Sequence, residues 1–435
     1  MKLIGKNAVV YGAGASGLSA YQLLREKGAK AIIYDDDPNA EHSTHSKGVI
    51  DSADIIVLSP GVDGQQDFLL DAKLAGKTVI GELELASECC LAEQIAITGT
   101  NGKTTTTSLI DYIFRRAGKS SYAVGNIGTP FSAIADKLDA TEIAVIEASS
   151  FQLESCIRFS PDTAVLLNIK PDHLERHKSL EKYAKAKANI FLNQSEQDYV
   201  IYNADDEIIA EFVPQMTAKK IPFSTSRPVP HGAYVSSGFI CFDGEPVLSL
   251  EETDMRGAEI ENLLATVCVC RVHGISAYNI SAGIIEFRRP KYRRQKCGEI
   301  GGISVYNDSK STNVSACISA AKSMTGDTAL ILGGAKREEN FNDLFKELPD
   351  NIKFIAVSGE NADEILSCAR RAGFESVGCY DDIKSALRGA YDYSKANGCA
   401  NILFSPSSKS YDRFSGYDMR GKYFDACVSA LRSEV

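Results

Sequence analysis

The chain has 435 residues, 44% of them hydrophobic and 24% charged, the composition of a folded globular protein long enough for two or three domains. Disorder, a collagen-like repeat and a disulfide-dense miniature scaffold are excluded on those numbers. Lys plus Arg is 47 against Asp plus Glu 57, a net charge of -10 with no basic tract, so neither nucleic acid nor a membrane surface is an expected partner.

Asn7–Tyr11, Ala31–Asp35 and Asp54–Leu58 read as buried strands, each followed by a turn and helical periodicity. Between the first strand and its helix stands Gly12-Ala13-Gly14-Ala15-Ser16-Gly17, and Asp35 closes the next strand. Glycine there permits a tight turn and lets backbone N–H groups approach a diphosphate, while the acid suits a ribose hydroxyl. A glycine turn that only packs helix on strand is the plainer alternative. Ser59-Pro60-Gly61 follows a later strand of the same series, at the sheet edge where open α/β sheets hold ligands.

A second strand is expected at Gln94–Thr98, and Gly99-Thr100-Asn101-Gly102-Lys103-Thr104-Thr105 comes between it and a helix. Ile97 occupies the place of the first P-loop glycine, but the functional end is intact. Backbone N–H groups can cradle phosphate oxygens, Lys103 can meet the β/γ charge, and the Thr104 hydroxyl can face Mg²⁺. Strands follow at Ile143–Ile146 and Ala164–Ile169. Glu147 ends the first of these and Asp172-His173 follows the second, so a carboxylate and an imidazole are expected at the P-loop edge as metal partners. Taken singly, each would read as an ordinary surface or core residue.

The helix beginning near Ser179 places Leu180, Tyr183, Ile190 and Phe191 on one apolar stripe. Lys187 falls within that stripe and Lys182 and Lys185 on the far side. A buried lysine needs a partner or a lowered pKa, and a neutral amine can take up CO₂ as a carbamate, an anionic ligand for Mg²⁺. Snorkelling of its ammonium past the stripe is the level alternative.

From about Tyr199 to Leu250 the sequence turns to short strands with Pro and Gly turns, and after a basic patch at Arg288 to Lys296 a third series follows. Its strands are expected at Ile303–Tyr306, Ala329–Leu332, Phe354–Ser358 and Asn401–Phe404. Boundaries near 90 and 290 give three α/β domains, 1–90, 91–289 and 290–435, the middle one with an antiparallel insertion. The twelve cysteines form no CxxC unit, no signal peptide is recognisable, and no stretch reaches the ~18 apolar residues of a membrane span. Reduced thiols in a cytoplasmic protein are expected.

GTNGKTT, EASSFQLE, LNIKPDHLERH, YAKAKANIF, NDSKSTN and SPSSKSYDRF, in this order, resemble the Mur ligases of bacterial cell-wall synthesis. SSFQLE and the SPxxxSxDxF pattern are most similar to the D-glutamate-adding member. The resemblance implies a Rossmann-like first domain, a P-loop ATPase-like centre and a Rossmann-like third domain. It also implies ATP and Mg²⁺ as cofactors and amide formation between D-glutamate and UDP-N-acetylmuramoyl-L-alanine through an acyl phosphate, in a monomer. Lys103, Glu147, His173 and a carbamylated Lys187 are the catalytic residues on this resemblance, with Thr104, Glu147, His173 and Lys187 at the metal. Gly14, Ala15, Ser16, Asp35, Ser59, Pro60, Gly61, Asn126, Ser149 and Gln152 would face the UDP-sugar. Asn262, Arg293 and Asp308 would join the P-loop around ATP. Lys310, Thr312, Arg337, Ser410, Tyr411 and Tyr417 would receive the amino acid, with a hinge expected near 290.

Several positions depart from the family pattern. Its GxHNxxN segment is here Arg256-Gly257-Ala258-Glu259-Ile260-Glu261-Asn262, which keeps only Asn262, and Pro290-Lys291-Tyr292-Arg293-Arg294-Gln295 keeps Arg293 from LPHRxE. Rival readings are another amide ligase of the superfamily, a dehydrogenase argued from the first glycine turn alone, and a nucleotide-binding protein without catalysis.

Overall fold

A computed structural model describes residues 2–37, 40, 43–46, 48–288, 291–336 and 341–435. It contains three sheets. The first has four parallel strands in the order Lys30–Tyr34, Asn7–Tyr11, Ile55–Leu58, Thr78–Gly81. Every residue of Ile55–Leu58 is buried, as a central parallel strand covered on both faces requires.

The second sheet has nine strands. Starting from one edge they are Ser121–Gly125, Ile143–Glu147, Glu93–Thr98, Thr163–Leu166, Tyr199–Asn203, Lys219–Ser224 and Ala233–Ser236, all parallel. Phe239–Phe242 and Glu245–Ser249 complete it in antiparallel register, the expected insertion continuing the sheet as its far edge. The P-loop strand Glu93–Thr98 is thus flanked by the strands that lead to Glu147 and to the Asp172-His173 loop. Helix Lys103–Arg116 packs on helix Glu259–Val272, whose residues from Asn262 to Cys270 are all buried. Cys268 and Cys270 therefore act as small core hydrophobes. All twelve cysteines are free, and only Cys379 is exposed.

Buried carboxylates join these two sheets. Glu82, 1% exposed, accepts from the Ser132 backbone N–H at 2.8 Å, and Glu84, 0% exposed, accepts from the backbone N–H groups of Ile157 and Arg158. Burial raises the Glu82 pKa. Gly81 N–H donates to Ser155 O at 3.0 Å beside them.

The chain divides into two compact units, Met1–Met255 with Glu259–Phe287, and Arg256–Ala258 with Arg288–Val435. The first unit holds both sheets just described, so position 90 lies inside it, next to the end of helix Glu82–Cys89. The second holds a six-stranded sheet in the order Gln295–Ile300, Ile303–Asn307, Asn401–Phe404, Thr328–Leu332, Ile352–Val357, Val377–Cys379. Its first pair is antiparallel and the rest parallel. Among the described residues no helix is long and apolar enough to cross a membrane.

Candidate active site

In the first sheet the glycine turn is built as a tight helix start. Gly12 has φ 103°, a left-handed conformation, and a Cβ on Gly17 would overlap the Gly12 carbonyl oxygen. That close approach lets helix Ala15–Glu26 begin directly after strand Asn7–Tyr11, with Gly14 as its N-cap and Ser16 in its first turn. Asp35 Oδ2 accepts from Ala13 N–H at 2.7 Å and Oδ1 from Asp37 N–H at 2.9 Å. The residue expected at a ribose therefore also braces the glycine turn. Ser59 Oγ donates to Gly12 O at 3.0 Å, which ties the Ser59-Pro60-Gly61 loop to the same turn. Tyr34 Oη donates to Asp36 Oδ1 at 2.5 Å and Tyr11 Oη donates to Asp36 Oδ2.

The P-loop is tied to the segment after strand Thr163–Leu166. Thr100 N–H donates to Asn168 O at 2.8 Å, and Asn101 N–H donates to Asn168 Oδ1 at 2.9 Å. Asn168 Nδ2 donates in turn to Glu261 Oε2 at 3.2 Å, and burial raises the Glu261 pKa. Gly102, φ 88°, caps the helix start, where a Cβ would overlap Asn262 Oδ1. Asn262 thus packs directly against the loop. Lys103 Nζ folds back on the loop and donates to Gly99 O at 2.7 Å and Thr100 O at 2.8 Å. Thr104 and Thr105 are buried in the first helical turn.

Helix Leu180–Ala188 puts Lys187 at 1% exposure while Lys182 and Lys185 are exposed, which decides between burial and snorkelling. Its Nζ donates to Gly99 O at 2.8 Å and lies 4.6 Å from the Tyr183 ring centroid. Burial, then the charge of Lys103, holds its pKa well below the ordinary lysine value. Glu147, 1% exposed at its strand end, accepts from Asn126 Nδ2 at 2.8 Å, so Asn126 orients the carboxylate. His173 has φ 54°, an uncommon conformation for a non-glycine residue, and its ring lies 4.7 Å from Phe151.

Among the described residues no three His, Cys, Asp or Glu side chains converge as a ready-made metal cluster. Mg²⁺ takes one or two protein carboxylates and otherwise oxygen from hydroxyls, water and phosphate. Glu147 and the Thr104 hydroxyl are oxygen donors of that kind, and a carbamate on Lys187 would be another.

Three features lie outside the sequence expectations. Ser149 and Gln152 form a capping box, Gln152 N–H donating to Ser149 Oγ at 3.3 Å and Ser149 N–H to Gln152 Oε1 at 3.0 Å. The S-x-x-Q spacing carried that signal. His177, 5% exposed, pairs with Ser150 Oγ at 3.1 Å, and burial pushes its pKa down to about 4. Tyr183 Oη pairs with Thr100 Oγ1 at 3.2 Å, and its i, i+4 relation to Lys187 is visible in the sequence.

In the second unit Asp308 is buried, accepts from Ser405 Oγ at 2.8 Å and from Arg294 N–H at 3.0 Å, and burial pushes its pKa up to about 6. Lys310 Nζ lies 4.0 Å from the Tyr417 ring centroid. Thr312 is half-buried, Ser410 buried and Tyr411 exposed. Arg293 is near enough to Asp308 to lower its pKa against the effect of burial. Arg420, 1% exposed and not anticipated, donates through Nη2 to Ser309 O at 2.8 Å and through Nη1 to Ser408 O at 2.9 Å. Arg337 lies outside the described residues.

Residues 97–238 match the family model described as Mur ligase middle domain. The UDP-N-acetylmuramoylalanine–D-glutamate ligase of Alkaliphilus metalliredigens is 36% identical over 99% of this chain and 100% of its own length. The ligase of the same description from Acidobacterium capsulatum is 37% identical over 99% of this chain and 98% of its own. The chain belongs to the Mur ligase family. Solved Mur ligases share the fold at low identity. The UDP-N-acetylmuramate-alanine ligase of Thermotoga maritima superposes with TM-score 0.62 at 16% identity, covering 99% of this chain and 100% of that one. The MurF ligase of the same organism, solved with ADP, gives 0.61 at 18%, covering 98% and 96%.

Proposed function

We propose that this Mur ligase joins D-glutamate to UDP-N-acetylmuramoyl-L-alanine at the expense of ATP, in the cytoplasm, through an acyl phosphate. The observation that carries the reading is likeness over the full chain to ligases of that description, with the P-loop and its flanking charged residues intact. Phosphoryl transfer is mostly positioning and charge neutralisation. Lys103 leaves Gly99 and Thr100 to meet the transferred phosphate, and the N–H groups from Gly102 to Thr105, at the start of the helix, hold the others. Mg²⁺, when bound, neutralises charge on the phosphate oxygens; Thr104, Glu147, His173 and Lys187 are the residues suited to hold it.

Lys187 is read as the site of a carbamate. The neutral amine's lone pair forms the new bond to the CO₂ carbon, one C=O π pair moves onto oxygen as the carbamate anion, and the amine proton leaves to solvent. Gly14, Ala15, Ser16, Asp35, Ser59, Pro60 and Gly61 are read as the UDP side of the substrate site, with Asn126, Ser149 and Gln152 nearer the sugar. Asn262 in the first unit, and Arg293 and Asp308 in the second, are read as nucleotide contacts, and Lys310, Thr312, Arg337, Ser410, Tyr411 and Tyr417 of the second unit as the amino-acid side. Mass spectrometry of the product from UDP-N-acetylmuramoyl-L-alanine with D- or L-glutamate tests this. A glutamyl adduct only from the D form supports it, and an adduct only from another amino acid overturns it.

A further inference from the structure

Arg176 stands three residues after His173, on the one-turn helix Leu174–His177, and its backbone N–H donates to His173 O at 3.1 Å. Its guanidinium, 14% exposed, leaves that loop and reaches the first sheet. Nη2 donates to Val62 O at 2.7 Å and Nη1 to Gly61 O at 3.4 Å. Nη2 also meets Glu154 Oε2 at 3.2 Å, on the helix that follows Glu147. The guanidinium carbon lies 5.1 Å from the Phe151 ring centroid, and Phe151 in turn packs on His173.

The carbonyl groups that Arg176 holds are not arbitrary. Val62 N–H donates to Ser59 O at 3.0 Å, and Ser59 Oγ donates to Gly12 O. An unbroken chain of hydrogen bonds therefore runs from the glycine turn through Ser59, Val62 and Arg176 to His173. A nearly buried guanidinium persists only when paired, and the planar fork lets one side chain hold two carbonyls and a carboxylate together, which a lysine cannot do.

We propose that Arg176 is a positioning residue that fixes the spacing between the diphosphate-side loop of the first sheet and the His173 loop of the second. Its guanidinium acts through Gly61, Val62, Glu154 and Phe151, the groups it holds. The inference rests on the ligase reading of the site.

The test is calorimetric binding of UDP-N-acetylmuramoyl-L-alanine, without ATP or metal, to the wild type, Arg176→Lys, Arg176→Ala and Glu154→Gln. Phosphate-release kinetics and thermal melting accompany it. Removing a charged hydrogen-bond partner should weaken UDP-sugar binding about tenfold or more and raise the Mg²⁺ concentration for half-maximal rate, with KM for ATP unchanged. Arg176→Lys, which keeps the charge and the stem, should stay folded and still show the loss. Wild-type affinity and Mg²⁺ dependence in both Arg176 variants would overturn the role of Arg176. A wild type that does not bind the UDP-sugar would overturn the reading of the first sheet with it.

Discussion

Lys103 and Lys187 share one acceptor, their ammonium nitrogens lying 2.7 and 2.8 Å from the Gly99 carbonyl oxygen. Burial, with the neighbouring Lys103 charge adding to it, holds the Lys187 pKa well below the ordinary lysine value. A neutral lysine amine beside a phosphate loop is the nucleophile a carbamate requires. Isotopically labelled bicarbonate should give a carbamate carbon signal in the wild type that Lys187→Ala lacks. The same variant should lose about 10²–10³-fold in kcat, the usual cost of removing one preorganised charge-stabilising group.

Gly102 is a second point of tension, because its left-handed φ of 88° and its contact with Asn262 both exclude a side chain. Gly102→Ala should cost about 1–3 kcal/mol in stability from the backbone conformation, with the Asn262 clash added. Asn262→Ala in the same chain removes only the clash, so thermal unfolding should show partial recovery, while ATP affinity stays reduced.

His177 gives a pH dependence with a definite sign. Burial, aided by Arg176, holds its pKa at about 4 against an ordinary 6.5, so it is neutral in the folded protein where the unfolded chain is protonated. The unfolded state then binds more protons, and this contribution to stability is complete above about pH 6.5 and is lost as pH falls toward about 4. Urea unfolding of the wild type and His177→Gln should show a gap at neutral pH that narrows at about pH 4.5.

Asp308 has the opposite sign. Burial raises its pKa to about 6, so its folded form holds a proton that the unfolded chain releases, and stability falls as pH rises through about 6. Asp308→Asn, which keeps an acceptor for Arg294 N–H, should stabilise the second unit by about 1–3 kcal/mol at neutral pH. Activity should fall in the same variant, a trade expected of a carboxylate kept for its chemistry.

How much of this was legible in the sequence follows from what each signal depends on. Asn7–Tyr11 and Asn401–Phe404 fall where their apolar runs predict, because buried parallel strands need nothing else. Thr78–Gly81 and Ser121–Gly125 went unanticipated: each is a short strand with a mixed pattern, made a strand by pairing with a neighbour distant in sequence. Lys187 was readable because helical period places it among Leu180 and Tyr183. The Asn168 bracket around the P-loop and the reach of Arg176 to Val62 were not readable, since both join residues on different strands or sheets. The capping box of Ser149 and Gln152 was readable, since the S-x-x-Q spacing is a local signal.

The most direct test of the central claim is phosphate release from ATP and Mg²⁺ with UDP-N-acetylmuramoyl-L-alanine and D-glutamate, L-glutamate, L-lysine or no amino acid. Release that requires both the UDP-sugar and D-glutamate, and falls about 10²–10³-fold in Lys187→Ala, is the expected result. Release with a different amino acid in place of D-glutamate, or none in any combination while ATP still binds, would contradict it.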